Sequence, residues 1–186
     1  MSPTGTINLL AGQRQTFTFT PNSSLYRVNV VVDGVSQGNI PSYTFNNINA
    51  GSHTIVVSFI PDTFNVTATV NRAGGKITTG ATTITSSNTF NLPRGSNLDF
   101  NITPDTGYDI SGVFVNGSGI GVVSSYSFPN LQANQTLSVS FAKKTYTITA
   151  SVGPNGSANS NSALTFTYGS NQTYYFYPNA GYHVAD

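Results

Sequence analysis

Thr63-Phe64-Asn65-Val66-Thr67-Ala68-Thr69-Val70 and, 82 residues later, Thr145-Tyr146-Thr147-Ile148-Thr149-Ala150-Ser151-Val152 are one strand written twice. In the first, Phe64, Val66, Ala68 and Val70 alternate with Asn65, Thr67 and Thr69; in the second, Tyr146, Ile148, Ala150 and Val152 alternate in the same way. Successive side chains of an extended chain point to opposite faces, so period two gives one apolar and one polar face. Aromatic and β-branched residues suit such a half-buried pleated surface. A strand that recurs at a fixed spacing marks a tandem array, and the rest of the chain is best read by searching outward for its companions.

The companions recur in one order. A nine-residue step leads from Gly12 to Pro21, from Gly95 to Pro104 and from Gly169 to Pro178. Inside it, Phe17 and Phe19 align with Phe100 and Ile102 and with Tyr174 and Phe176, and all six are expected in cores. Val30-Val31-Val32-Asp33-Gly34 matches Val113-Phe114-Val115-Asn116-Gly117. Asp-Gly and Asn-Gly are signals for a tight hairpin, because a type I′ turn needs positive φ at both central residues. Ser42-Tyr43-Thr44-Phe45 matches Ser125-Tyr126-Ser127-Phe128, and each copy closes on a Ser-Phe strand, at Phe59 and Phe141. The copies are 2–62, lacking its first strand; 63–143, complete; and 144–186, the first half of a module. The stretch after the first strand varies in length (residues 75–95 in the middle copy), which reads as loop or edge. Residues 46–50, matching 130–133, have room for one helical turn; no amphipathic helix is present. The expectation is an all-β chain of tandem small antiparallel modules, each of about six strands and either β-sandwich or β-grasp-like.

Composition agrees. Of 186 residues only 7% are charged, against roughly 25% in an average soluble domain. All six acidic residues are Asp, and the net charge is +1, which gives no electrostatic footprint for nucleic acid. Aromatics at 12% separate the chain from disordered polar sequences. With no cysteine, stability must come from packing, glycans or assembly. No run approaches the ~18 apolar residues of a membrane-spanning helix, and Met1-Ser2-Pro3-Thr4 does not open a secretory signal. A polar, nearly uncharged surface suits an extracellular location.

The order carried by Gly95-Ser96-Asn97, Pro104, Gly107-Tyr108, Asn116-Gly117, Tyr126, Phe128, Ala133-Asn134-Gln135-Thr136 and Phe141 resembles the divergent internalin-B-type B-repeat. The resemblance runs over nearly the whole chain. It implies stalk or array modules of microbial cell-surface proteins, makes a β-grasp-like fold a live option, and implies no shared catalytic residues. The long 75–95 stretch departs from the shorter family pattern.

Nothing in the chain gathers catalytic chemistry, and no enzyme, cofactor or metal is expected. His53 and His183 are isolated and read as plain surface residues. Asp105 and Asp109 share a turn, but their counterparts (Asn22 and Tyr26, Asn179 and His183) carry no carboxylate, so turn chemistry explains them better than calcium. Seven Asn-x-Ser/Thr sequons, at Asn22, Asn65, Asn101, Asn116, Asn134, Asn155 and Asn171, are candidate N-glycosylation sites. All seven fall on outward faces, turns or strand edges. The Thr rows, Thr16, Thr18 and Thr20 among them, read as exposed strand residues. Tyr175 and Tyr177 replace the outward polar pairs Thr18/Thr20 and Asn101/Thr103 of the other copies, which makes them candidate contact aromatics.

The first copy lacks what the third supplies. Two expectations follow. In one, head-to-tail assembly into a filament uses the strand Tyr146, Ile148, Ala150 and Val152, with residues 164–177, to complete a neighbour's first module by donor-strand complementation. In the other, the chain is a piece of a longer array and its neighbours are further repeats. Either way the expected function is structural: an extracellular stalk, fibre or surface-layer glycoprotein whose partner is itself or adjoining repeats. The alternative is adhesion to carbohydrate or host protein through loops and the exposed tyrosines.

Overall fold

The computed structural model describes residues 1–49 and 51–185. Among them lie eighteen strands and no helix. The first copy contributes β1 (Gln15–Thr18), β2 (Tyr26–Val32), β3 (Val35–Gly38), β4 (Ser42–Phe45) and β5 (Ile55–Pro61). The middle copy contributes β6 (Thr63–Arg72), β7 (Gly75–Thr79), β8 (Thr82–Ile84), β9 (Ser87–Pro93), β10 (Leu98–Pro104), β11 (Tyr108–Val115), β12 (Ser118–Gly121), β13 (Ser125–Phe128) and β14 (Gln135–Lys143). The third contributes β15 (Thr145–Thr149), β16 (Gly156–Ala158), β17 (Ala163–Thr167) and β18 (Phe176–Pro178). The chain is therefore all-β and built of small antiparallel sheets.

The middle copy has nine strands where the sequence suggested about six. They form a four-stranded sheet, β13-β10-β7-β8, and a five-stranded sheet, β12-β11-β14-β6-β9. Gly75 on β7 faces Phe141 on β14 so closely that the two sheets form a sandwich. Among the described residues no helix packs on either sheet. The variable stretch is not loop: it holds β7, β8 and β9, and β8 and β9 are the edge strands of their sheets. An edge strand answers to one neighbour only, which is why its length is free to drift between copies.

By contact pattern the chain divides into two compact units. One is Met1–Val66 with Phe90–Asn97 and Phe128–Asn134; the other is Thr67–Thr89, Leu98–Ser127 and Gln135–Asp186. The division passes through the middle copy. In the first unit β1 pairs with β4, and β5 is the edge of the sheet β3-β2-β5. Phe17, Phe19, Val28, Val30 and Val32 are buried there, with Ile7, Tyr43, Phe45, Ile55 and Val57 packed against them. In the second unit Ala68, Ile77, Phe100, Ile102, Val113, Leu137, Val139 and Phe141 are buried. Each is an inward position of the period-two pattern.

Both predicted hairpins form. Asp33 and Gly34 have φ of 49° and 80°, and Asn116 and Gly117 have 50° and 80°. The expected helical turn does not. Asn47 and Asn130 instead take left-handed φ of 51° and 48°, and the loop is stitched to the turn that leads into β1 or β10 by Gly12 N–H to Ile48 C=O at 2.8 Å and Gly95 N–H to Leu131 C=O at 2.7 Å. Asn tolerates that conformation better than other side chains, so Asn-Ile and Asn-Leu here signal a turn rather than a helix. Ala50, the last residue of the expected turn, lies outside the described residues.

One register detail differs from the sequence alignment. The pairing of β11 with β14 shifts between Ile110 and Gly112, leaving Ser111 as an inserted residue, whereas β2 pairs with β5 without a shift. Tyr26 opposite Pro61 therefore corresponds to Tyr108 opposite Lys143, and Arg27, not Tyr26, corresponds to Asp109.

Candidate assembly surface and copy junctions

The outer faces are cross-strand ladders of hydroxyl groups. Thr16 and Thr44 Oγ1 lie 2.9 Å apart, Thr67 and Thr89 Oγ1 2.9 Å, Thr69 Oγ1 and Ser87 Oγ 3.2 Å, and Ser127 donates to Asp99. Each pair satisfies itself across two strands, which accounts for Thr16, Thr67 and Thr69 without a ligand.

A second device holds each hairpin to the following strand. Asp33 Oδ1 accepts from the Thr54 backbone N–H at 2.7 Å, and Asn116 Oδ1 accepts from that of Thr136 at 2.8 Å. The other side-chain atom is also engaged: Asp33 Oδ2 lies 2.8 Å from His53 Nδ1, and Asn116 Nδ2 donates to Gln135 Oε1 at 2.6 Å. His53 is thus not isolated, although it sits at the surface. The Thr54 N–H, and after it His53, hold the Asp33 carboxyl below its usual range. A carboxyl with a folded pKa below its unfolded one stabilises the fold above the unfolded value, and that stabilisation is lost as pH falls through the folded value. Acidification should therefore loosen the first copy through this clasp, while Asp33→Asn, which imitates Asn116, removes this part of the acid dependence. Backbone hydrogen exchange at Thr54 across an acid titration reads the difference; identical profiles for the two chains would contradict it.

The copies meet through a joint that occurs twice. At the first, Asp62 N–H donates to Leu25 C=O at 2.9 Å and Arg94 N–H to Asp62 C=O at 2.7 Å. At the second, Lys144 N–H donates to Gly107 C=O at 2.8 Å and Tyr168 N–H to Lys144 C=O at 2.8 Å. The side chains differ over this common backbone. Arg94 pairs with half-buried Asp62 at 2.7 Å and lies over the Phe64 ring, 4.9 Å from its centroid. Tyr168 takes the place of Arg94, 6.5 Å from the Tyr146 ring, and covers Gly107. Lys144 adds a looser pair with Asp109 at 3.5 Å.

The third copy repeats the strands of the middle one without its burial. β15 pairs with β17, Tyr146 opposite Phe166 and Ile148 opposite Leu164. Tyr146 and Ile148 are nevertheless exposed, Ile148 at 42%, whereas Val66 at the matching position is at 0%. Ala150 and Val152 are half-buried. Tyr174 is half-buried and Phe176 is exposed, so the expectation of a core at these two positions does not hold. In the middle copy the matching Phe100 and Ile102 face a second sheet that includes β14; no strand of that kind stands over β18 among the described residues. Tyr175 and Tyr177 are 59% and 54% exposed, with Ser157 opposite Tyr177. Beside them a cavity of about 360 Å³ opens, lined by Val152, Gly156, Phe176, Tyr177, Pro178 and Tyr182 among others. His183 also lines it.

All seven sequon asparagines are exposed. Three are held by the fold: Asn116 as above, Asn134 by its Oδ1 accepting from the Asn65 N–H at 2.8 Å, and Asn65 by its own Oδ1 accepting from Asn91 at 2.8 Å. Among the described residues no group of three or more His, Cys, Asp or Glu is placed to hold a metal ion. Compared with protein-family models, with curated proteins and with solved structures, the chain matched none.

Proposed function

We propose that this is an extracellular structural repeat protein, a component of a stalk, fibre or surface layer, with no enzymatic role. The observation that carries the reading is the joint at Asp62 and Lys144. A linker that merely tethers domains needs no fixed geometry, yet here the same two backbone bonds recur under unrelated side chains. Selection on the joint itself is the simplest reason for that. Self-satisfied hydroxyl ladders and few charges suit a surface that meets solvent and glycans, and the resemblance to B-repeats points the same way. Exposed sequons agree with a glycoprotein at the cell surface. Assembly by strand complementation, with this chain or adjoining repeats as the partner, belongs to the same reading.

Adhesion to carbohydrate or host protein is the second reading, favoured by the exposure of Tyr175 and Tyr177. Electron micrographs of native material test the first: extended particles with a regular axial repeat are expected, and compact particles no larger than a single chain would overturn it. The double change Tyr175→Ser and Tyr177→Ser separates the two. Loss of glycan-array binding with unchanged particles supports adhesion; altered particles support the structural role.

A further inference from the structure

The hairpin β11-β12 of the middle copy shares one register with β2-β3 of the first. Phe114 lies opposite Gly119 as Val31 lies opposite Ser36, and Val115 lies opposite Ser118 as Val32 lies opposite Val35. Over that common backbone five residues differ together. Where the first copy has Val31, Asp33 and Val35, the middle copy has Phe114, Asn116 and Ser118. Where the first has Asn29 and Ser36 on either side of Val31, the middle has Gly112 and Gly119. The two glycines serve the ring. A Cβ on Gly112 would lie 3.2 Å from Phe114 Cε2, and one on Gly119 3.5 Å from its Cε1. Neither glycine has positive φ, so no turn calls for it. Phe114 therefore lies across the outer face on a floor of bare backbone, and it is 39% exposed.

The ring's neighbours on that face are hydroxyl residues of β14, Ser138 opposite Phe114 and Ser140 opposite Gly112. A ring so placed fits a partner that is apolar on one side and polar at its rim. A pyranose is built that way: its axial C–H bonds meet the negative face of an aromatic ring, and its hydroxyls project around the edge. A point of attachment for one stands two residues on. Asn116-Gly117-Ser118 is a sequon, and of the seven it alone has an aromatic residue two places before its asparagine. Two residues along a strand share a face and stand about 7 Å apart, and the ladder runs on to Asn116, whose N–H donates to Thr136 C=O at 3.0 Å. The Asn116 amide is held in one orientation by the clasp to Thr136 and Gln135. The bond to Gln135 engages one of the two hydrogens on Nδ2, so a sugar in place of the other leaves the clasp whole.

We propose that Asn116 carries an N-linked glycan whose first pyranose stacks on Phe114. This rests on the reading of the chain as an extracellular glycoprotein and names the sequon at which fold and sugar are coupled. Attachment forms a bond from Asn116 Nδ2 to the anomeric carbon of the sugar. It breaks the bond from that carbon to the phosphate oxygen of a lipid-linked glycosyl diphosphate; the leaving diphosphate takes the electron pair, and Nδ2 gives up one proton. The first copy, with a carboxylate at Asp33, has no such acceptor, and it has neither the ring nor the glycine floor. Stacked on Phe114, the sugar covers the exposed ring and braces the end of β11 against β12.

The test uses the full chain secreted from a eukaryotic host that glycosylates sequons, with its glycans trimmed enzymatically to a single N-acetylglucosamine. Glycopeptide mass spectrometry should find Asn116 occupied. In NMR spectra the axial ring protons of its sugar should be displaced upfield by the ring current of Phe114. Phe114→Val, which places the residue of the first copy there, should abolish that displacement, and Phe114→Tyr should keep it. Ser118→Ala removes the sequon while leaving Asn116 and its clasp in place. It should raise the unfolding constant of the middle copy, read by hydrogen exchange, about two- to tenfold in the chain with Phe114 and not in the Phe114→Val chain, the worth of one aromatic contact. Asn116 occupied with neither displacement nor coupling, or bare beside other occupied sequons, overturns the inference and leaves the glycoprotein reading standing. A chain with no sugar at any of the seven overturns both.

Discussion

Phe141→Ala should cost the middle copy about 3–5 kcal/mol, the range for truncating a fully buried phenylalanine. The ring is closed in by the bare backbone of Gly75 on the opposite sheet, and Val139 and Leu137 on its own strand are as deeply buried. Truncation leaves a cavity between two sheets that cannot collapse without moving β7 against β14. A domain of this size holds about 5–15 kcal/mol in total, so the loss is a large share. Phe59→Ala removes the same side chain from the same place in the repeat, but with two-fifths of it already in water the cost should be about 1 kcal/mol. Denaturant unfolding with hydrogen exchange, which separates copies within one chain, measures both. Equal losses at the two positions would show that burial in the middle copy is not what distinguishes them.

Gly107→Val should release the third copy from the second. Gly107 has φ of +80°, and a Cβ there would lie 2.0–2.5 Å from three ring atoms of Tyr168. The left-handed conformation alone costs a residue with a side chain about 1–2 kcal/mol, and β-branching worsens it. The displaced ring takes with it the bond from Tyr168 N–H to Lys144 C=O. Trypsin reads the outcome at Lys143 and Lys144, where cleavage should accelerate while the first copy stays resistant. Adding Tyr168→Ala should recover the part due to the clash and leave the part due to φ. The first joint already accommodates a side chain at this position, Leu25, because Arg94 reaches instead across Phe64. The two joints are alternative solutions, glycine with a flat aromatic or leucine with a reaching arginine.

Much of the fold was legible in the residues. Alternation placed Val66, Ala68, Phe100 and Ile102 inward, and Asp33-Gly34 and Asn116-Gly117 announced their turns by the φ they need. Three things were not legible. Ser111 is an inserted residue in a strand whose composition does not reveal it, so the sequence alignment slipped by one between Tyr26 and Val28. The strands β7 to β9 hid in a stretch of unequal length, because edge strands tolerate drift. Phe176 carries a core residue's pattern but no core, since burial depends on a second sheet and not on the strand itself. Of the candidate site, the unusual tyrosines and the incomplete outer copies could be read directly. The role of Gly75 could not: a glycine's role as a floor shows only when the ring that stands on it, here Phe141, has been seen.

The placement of charge has a consequence for ionic strength. Among the described residues the ion pairs are Asp33 with His53, Arg94 with Asp62 and Lys144 with Asp109, and two of the three sit at joints. Raising salt from physiological to molar levels shortens the screening length from about 8 to about 3 Å. The sheets, held by apolar packing and hydroxyl pairs, with one carboxylate, Asp99, bonded by Ser127, have little for salt to act on. Of the two joints, the second carries the more exposed and longer pair and the first the more sheltered one. Brine therefore leaves the modules as they are and relaxes the connections unequally, so that such an array would yield first at the Lys144 connection.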